Sequence, residues 1–173
     1  HHYATHLSEV SADIPSLEGR RFAEKALQAY TELPQLPDYG KQLIHGDPRI
    51  ANILHKDGKP YTFIDWDTLM NGTVWMDLGD MLRSIAQESL TKTGTFDVNE
   101  LAAVAEAYRR EAFPDIEAEE FADHALLAGQ TIALELAMRF TADFAEGNDG
   151  YFAWDNQTFS SRHEHNMSRA AKQ

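Results

Sequence analysis

The chain has 173 residues, 43% of them hydrophobic, and 28 acidic against 15 basic side chains for a formal net charge of -13. That length allows one domain with a sizeable core, and the composition excludes an intrinsically disordered chain. The acidic surface repels nucleic acid and anionic membranes, so neither is expected as a partner, while a cationic substrate is tolerated. With no cysteine, disulfides and thiol chemistry are excluded. No apolar run approaches the ~20 residues of a membrane span, and no signal-peptide pattern opens the chain, so a cytoplasmic protein is expected.

The first residues carry no cap, no strand alternation and no glycine-rich loop. Residues 17–32 place Leu17, Phe22, Ala23, Ala26, Leu27 and Tyr30 at the spacing of an amphipathic helix. Pro34, Pro37 and Gly40 break it. Residues 41–45, 52–55 and 61–64 read as short strands, and Asp57-Gly58 between the last two signals a tight hairpin. From Val74 the pattern turns helical, with Leu78, Met81, Leu82 and Ile85 on one face of the stretch 77–87. Asp97 with Glu100 predicts a capping box for a helix through Ala112, stopped by Pro114. Residues 116–144 predict one long central helix, or two joined near Gly129. Gly147, Asp149 and Gly150 form a loop before a last helix over about 155–171. The expected class is α+β, mostly α, in a single domain over residues 1–173: a helical bundle with a small β-hairpin element bearing the polar motifs.

Chemistry concentrates in His45-Gly46-Asp47-Pro48-Arg49-Ile50-Ala51-Asn52 and in Phe63-Ile64-Asp65-Trp66-Asp67. Asp47 follows a strand end and a glycine that permits a sharp turn, which sets a carboxylate where it can take the proton of an attacking hydroxyl. Asn52 offers a neutral oxygen and Asp65 a charged one, a sparse set that suits magnesium already held by phosphates. Arg49 either offsets charge on a transferring phosphoryl group or pairs with a nearby acid. Asp67, two residues after Asp65, faces the same side if the segment is extended, and then serves as a further ligand or caps the next turn. Asp77 and Asp80 fit the first turn of the following helix through its dipole, and Asp77 can also brace the loop backbone. His45 reads as a structural hydrogen-bonding residue, because Asp47 fills the base position. Tyr151 and Trp154 are candidates for contacting the substrate, or for core packing.

On His45-Gly46-Asp47 with Asn52, then Ile64-Asp65, Gly72 and Asp77-Leu78, the chain resembles the aminoglycoside phosphotransferase and choline kinase-like family, small-molecule kinases with a protein-kinase-like fold. The resemblance implies that Asp47 is the catalytic base, that Asn52 and Asp65 hold Mg2+, and that Asp77 braces the catalytic loop. It implies ATP as phosphoryl donor and a hydroxyl of a small molecule, such as a sugar, an aminoglycoside or an amino alcohol, as acceptor. The stretch Asp65 to Gly72 with Asp77-Leu78-Gly79-Asp80 and Arg83 is most similar to the N-acetylhexosamine 1-kinase branch.

The family's N-terminal lobe brings a phosphate-covering glycine loop and a nucleotide lysine, and neither pattern occurs here. The expectation is therefore a C-terminal catalytic lobe with the nucleotide-binding lobe absent, weak in ATP binding on its own. A face so uncovered would suit homo-oligomer contact. Two rival readings carry the same residues: a catalytically silent binding or dimerisation module, and a metal-dependent phosphohydrolase.

Overall fold

The computed structural model describes residues 2–146, 168, 170 and 171. Among these the chain is mostly helical, with two small antiparallel sheets. The helices are α1 (His2–Val10), α2 (Leu17–Glu32), α3 (Val74–Thr93), α4 (Val98–Ala112) and α5 (Ala118–Glu146). The strands are β1 (Gln42–Ile44), β2 (Ile53–Lys56), β3 (Lys59–Phe63) and β4 (Met70–Gly72). Two compact units form, one from residues 34–132 and the other from residues 1–33 and 133–173.

In the unit of residues 34–132, β1 pairs antiparallel with β4, Ile44 opposite Met70 and Gln42 opposite Gly72. The pairing of β2 with β3 sets Ile53 opposite Phe63. Asp57 and Gly58 both adopt left-handed backbone (φ 53° and 75°), as the expected two-residue turn requires. Pro60 lacks an N–H for the ladder, and the register shifts between Leu54 and His55, where His55 faces Pro60. The strand β4 is absent from the sequence-based expectation. It is three residues long and partnered by a segment far away in sequence, so no local pattern announces it.

The apolar face of α3 packs Trp75, Leu78 and Leu82 against Ala105 of α4 and Phe121, Ala125 and Ala128 of α5. Burial of a side chain like Leu78 contributes roughly 1.5–3 kcal/mol. Trp75 stacks near Phe113 and Tyr39, and its indole N–H donates to the Pro37 carbonyl at 2.8 Å. Gly79 lets α3 approach α5 closely: a Cβ there would lie 2.5 Å from the Ala128 carbonyl oxygen. Gly94, left-handed at φ 76°, ends α3, which runs six residues past the stretch 77–87 whose apolar face the sequence displays.

Asp97 caps α4 by accepting from the Asn99 N–H, but the expected box is not reciprocal, because Glu100 accepts instead from the Ser89 hydroxyl. Of the two readings of the central segment, the single helix holds. A Cβ on Gly129 would meet only Leu82 at 3.8 Å, so this glycine sits inside α5 without breaking it.

The other unit contains α1, α2 and the part of α5 from residue 133. Its core is Leu7, Ile14, Ala23, Ala26, Met138, Ala142 and Phe144. Ser16 caps α2 by accepting from the Gly19 N–H at 2.9 Å, and α2 has the expected bounds. The opening helix α1 is not expected from the sequence, since it lacks a capping residue. Burial of Leu7 holds it instead. The Tyr30 hydroxyl donates to Glu135 at 3.1 Å, and burial with that carboxylate beside it pushes the phenol up to about 12. The expected loop at 147–150 and the helix over 155–171 lie outside the described residues, apart from positions 168, 170 and 171, which are helical.

Candidate active site

Every described candidate residue falls in the unit of residues 34–132. The loop that leaves β1 turns at Gly46, whose φ is 82°. A Cβ at this position would lie 2.4 Å from the Thr68 carbonyl oxygen, so both backbone conformation and space require glycine. The Asp77 carboxylate on α3 accepts two backbone N–H groups of this loop, from His45 at 2.8 Å and from Gly46 at 2.9 Å. An acid in the first turn of a helix thereby fixes the exit of β1. Ser84, two turns along the same helix, accepts the Ile50 N–H at 3.3 Å.

His45 is 6% exposed and packs against the rings of Phe63 and Trp66. Its Nδ1 accepts the Asp47 N–H at 3.3 Å, and its Nε2 lies 2.9 Å from the Ile64 carbonyl oxygen. This pair of contacts fits the tautomer with hydrogen on Nε2, which donates to Ile64. The imidazole thus ties the residue before Asp65 to Asp47, and both of its nitrogens are occupied.

Asn52 is also 6% exposed. Its Nδ2 donates to both the main-chain carbonyl and the Oδ2 of Asp47, each at 2.9 Å. The side-chain carbonyl Oδ1 is left over for another partner. The Asn52 main-chain carbonyl accepts the Ile64 N–H at 2.9 Å. The Ile64 peptide is therefore held on both sides, by Asn52 and by His45, and Asp65 follows directly.

Asp65 adopts left-handed backbone (φ 66°, ψ 52°), and a 3-10 turn over Trp66–Thr68 begins there. For a residue with a Cβ that conformation costs roughly 1 kcal/mol or more. The turn corrects the extended-segment argument for Asp67. The chain is not extended across these residues, so a shared side with Asp65 does not follow from alternation. Both carboxylates are solvent-exposed.

Arg49 Nε sits 3.3 Å from Asp47 Oδ2, an ion pair without a well-aligned hydrogen bond. Of the two sequence readings of Arg49, the structure exhibits the pairing with an acid. Tyr151 and Trp154 lie outside the described residues.

Among the described residues no three His, Cys, Asp or Glu side chains gather into a metal cage. Magnesium on a nucleotide does not need one: it keeps waters and phosphate oxygens and takes one or two protein oxygens. The leftover Asn52 Oδ1 and the exposed Asp65 carboxylate fit that donor set in kind and number.

One group is more prominent in the structure than in the sequence. Asp80 lies in the second turn of α3, past the reach of the helix N-terminus, and is 8% exposed, which corrects the helix-dipole reading. One of its carboxyl oxygens, Oδ1, accepts from Nε of Arg83 at 3.1 Å and from a terminal guanidinium nitrogen. The other, Oδ2, is buried with no donor. Burial pushes the Asp80 carboxyl above the usual carboxylate range; Arg83 opposes the shift, and the negative charge of Asp47 adds to it.

Asp77, Asp80, Ser84 and Gln87 recur every three or four positions, so they form a polar stripe on α3 opposite its apolar face. Beside that stripe opens a cleft of about 310 Å³ whose lining includes Arg49, Arg83, Ser84, Gln87 and Lys92.

A braced acid, an amide bonded to it and a second acid tied in through one peptide form the pattern expected of a phosphotransferase. The family model of the phosphotransferase enzyme family matches residues 3–121, which include all of these side chains. The match spans more than half of the chain and agrees with the aminoglycoside phosphotransferase-like family suggested by the motifs. The chain belongs to the phosphotransferase enzyme family.

Proposed function

We propose that the protein is the catalytic lobe of a protein-kinase-like fold and transfers the γ-phosphoryl group of ATP to a hydroxyl of a small molecule. The observation that carries this reading is the hydrogen-bonded set Asp47–Asn52–Ile64–His45, braced by Asp77. Phosphoryl transfer asks the protein mainly for positioning and electrostatics, and that set supplies positioning.

In the reaction the acceptor oxygen forms a bond to the γ-phosphorus, the bond from that phosphorus to the ADP oxygen breaks, and the hydroxyl proton passes to Asp47. Asn52 holds the Asp47 carboxylate through Nδ2, which keeps one oxygen of that carboxylate aimed while the acceptor arrives. Asn52 Oδ1 and Asp65 would hold magnesium, which would supply positive charge to offset that of the phosphates. Arg49 adds positive charge beside Asp47. Ser84, Gln87 and Thr91 in the lining of the cleft next to Arg49 support an acceptor that carries hydroxyl groups, as a sugar does. Absence of cysteine and the need for ATP support a cytoplasmic setting.

The test is transfer from γ-labelled ATP to a panel of hydroxyl-bearing acceptors, with and without Mg2+. Labelled acceptor forms only with Mg2+, and Asp47→Asn lowers the rate by about 10²–10⁴-fold. Release of labelled phosphate at the same rate with and without acceptor would identify a hydrolase instead.

A further inference from the structure

We propose that the cleft beside Arg49 is the acceptor subsite and that it takes the acceptor by an anionic substituent, a carboxylate or a phosphate, held by free N–H groups of Arg49, Arg83 and Gln87. This rests on the reading of Asp47 as the base. Position comes first: Arg49 Nε lies 3.3 Å from Asp47 Oδ2, and the same side chain lines the cleft, so a ligand there is next to the base. The charge of the lining runs against that of the chain. Arg49, Arg83 and Lys92 are basic and Glu88 alone is acidic, whereas acids outnumber bases 28 to 15 in the whole sequence.

The hydrogen bonds already made decide what the cleft has left to offer. The Ser84 hydroxyl donates to the Met81 carbonyl at 2.9 Å and the Thr91 hydroxyl to the Gln87 carbonyl at 2.8 Å, so neither has a proton for a ligand. Each oxygen still has a lone pair that can accept from a sugar hydroxyl. Gln87 spends its side-chain oxygen on Arg83, at 2.8 Å, and keeps both hydrogens of its amide nitrogen. Asp80 and Gln87 clamp Arg83 along α3, from three positions before it and four after it. That uses three of the five guanidinium N–H groups and leaves one on each terminal nitrogen. The guanidinium is fixed before a ligand arrives, so little side-chain entropy is lost on binding. The Arg49 guanidinium makes no hydrogen bond among the described residues, although its Nε is buried. Glu88 is taken by Lys92. The surplus is in N–H donors on positively charged or amide nitrogens. It matches the oxygens of an anionic group and gives an ammonium group no counterpart.

The test compares four probes built on one sugar ring: glucose, glucosamine, glucuronate and glucose 6-phosphate. Calorimetric titration of the protein needs no turnover. Glucuronate or glucose 6-phosphate binds at least about tenfold more tightly than glucose, and glucosamine binds no better than glucose. The two anionic arms tell carboxylate from phosphate. Gln87→Glu keeps an oxygen for Arg83 but replaces two donors with a negative charge, so it abolishes the preference for the anion and leaves the unfolding midpoint unchanged. Arg83→Lys keeps a cation beside Asp80, loses the fork of N–H groups and weakens anion binding as well. No preference for an anion in the wild type, a preference that survives both substitutions, or tighter binding of glucosamine overturns the proposal. In the transfer assay, equal KM values for glucose and the anionic sugars would refute the subsite and leave the kinase reading standing. An anion preference that depends on Gln87, in a protein that transfers no phosphoryl group to any acceptor, would sink the reading of Asp47 while the anion site stands.

Discussion

In the loop from His45 to Asn52, backbone and side chains are tied down together. Asp77 takes two N–H groups, Ser84 takes a third, His45 takes a fourth, and Asn52 binds Asp47 through its amide. In the segment from Asp65 to Leu69 the anchoring is sparser: Thr68 donates to the Asp65 carbonyl and one face of the half-exposed Trp66 ring meets His45, while the Asp65 and Asp67 carboxylates stand exposed. Both segments carry an acid that the phosphotransferase reading needs, yet only the half-buried Asp47 is held in a bonding network. The difference follows from what each acid must do. A base must already point at the hydroxyl, because a misplacement of about 1 Å can cost 10²-fold in rate. A magnesium ligand can be oriented by the ion itself, since phosphates and water complete its shell.

The largest way to break this contrast is Asp77→Ala. Two backbone N–H groups of the tied loop lose their charged acceptor, at a cost of roughly 2–4 kcal/mol in folding stability. Urea unfolding reads this as a lowered midpoint with an unchanged slope. A loss under about 0.5 kcal/mol would mean that water replaces the carboxylate and that the loop is not braced from α3. Gly46→Ala attacks the same loop from its backbone. The φ of 82° and the 2.4 Å approach to the Thr68 carbonyl leave no room for a methyl group, and a loss of about 1–3 kcal/mol is expected in the same assay.

These two residues also mark how far the sequence could be read. Gly46 and Asp77 belong to short motifs with fixed spacing, and the chemistry of each residue type points to its use. Asp57-Gly58 and Asp97 were legible for the same reason, because a turn and a cap are local bargains between neighbours. Asp80 was not. On a helical projection it lies opposite Leu78 and Leu82, where a single helix would meet solvent, and a dipole explanation is the natural one. Its burial comes from a loop more than thirty positions earlier in the chain, which local periodicity does not see. The usable signal was the recurrence of Asp77, Asp80, Ser84 and Gln87 at helical spacing: a polar stripe as regular as the apolar one has a packing partner of its own. The strand β4 escaped for a related reason, since its partner β1 lies some 28 positions back (Asn71 against Leu43) and the two pair only across that distance.

On the exposed side of the comparison, Asp65→Asn is expected to leave stability within about 0.5 kcal/mol of wild type, because no described residue hydrogen-bonds to this carboxylate and asparagine tolerates left-handed backbone as well as aspartate does. The same substitution removes the one charged oxygen offered to magnesium. Titration of Mg2+ in the transfer assay then requires a higher metal concentration for half-maximal rate. Stability and metal dependence would separate at Asp65, whereas they fall together at Asp77. A destabilised Asp65→Asn protein would contradict the open construction of this segment.

Asp67→Asn gives the smallest effect and sharpens the comparison most. The 3-10 turn over Trp66–Thr68 removes the argument from strand alternation that would have set Asp67 beside Asp65. An exposed acid in such a turn contributes little to stability, and its charge is screened by solvent. The expected outcome is an unfolding midpoint and a half-maximal Mg2+ concentration both unchanged from wild type. If the metal requirement rises as far as in Asp65→Asn, then two carboxylates serve the ion, and the turn must bring both to it by its own curvature. That result would shift weight in the site from the braced loop to the exposed one, because the second segment would then be ordered for metal binding before the nucleotide arrives.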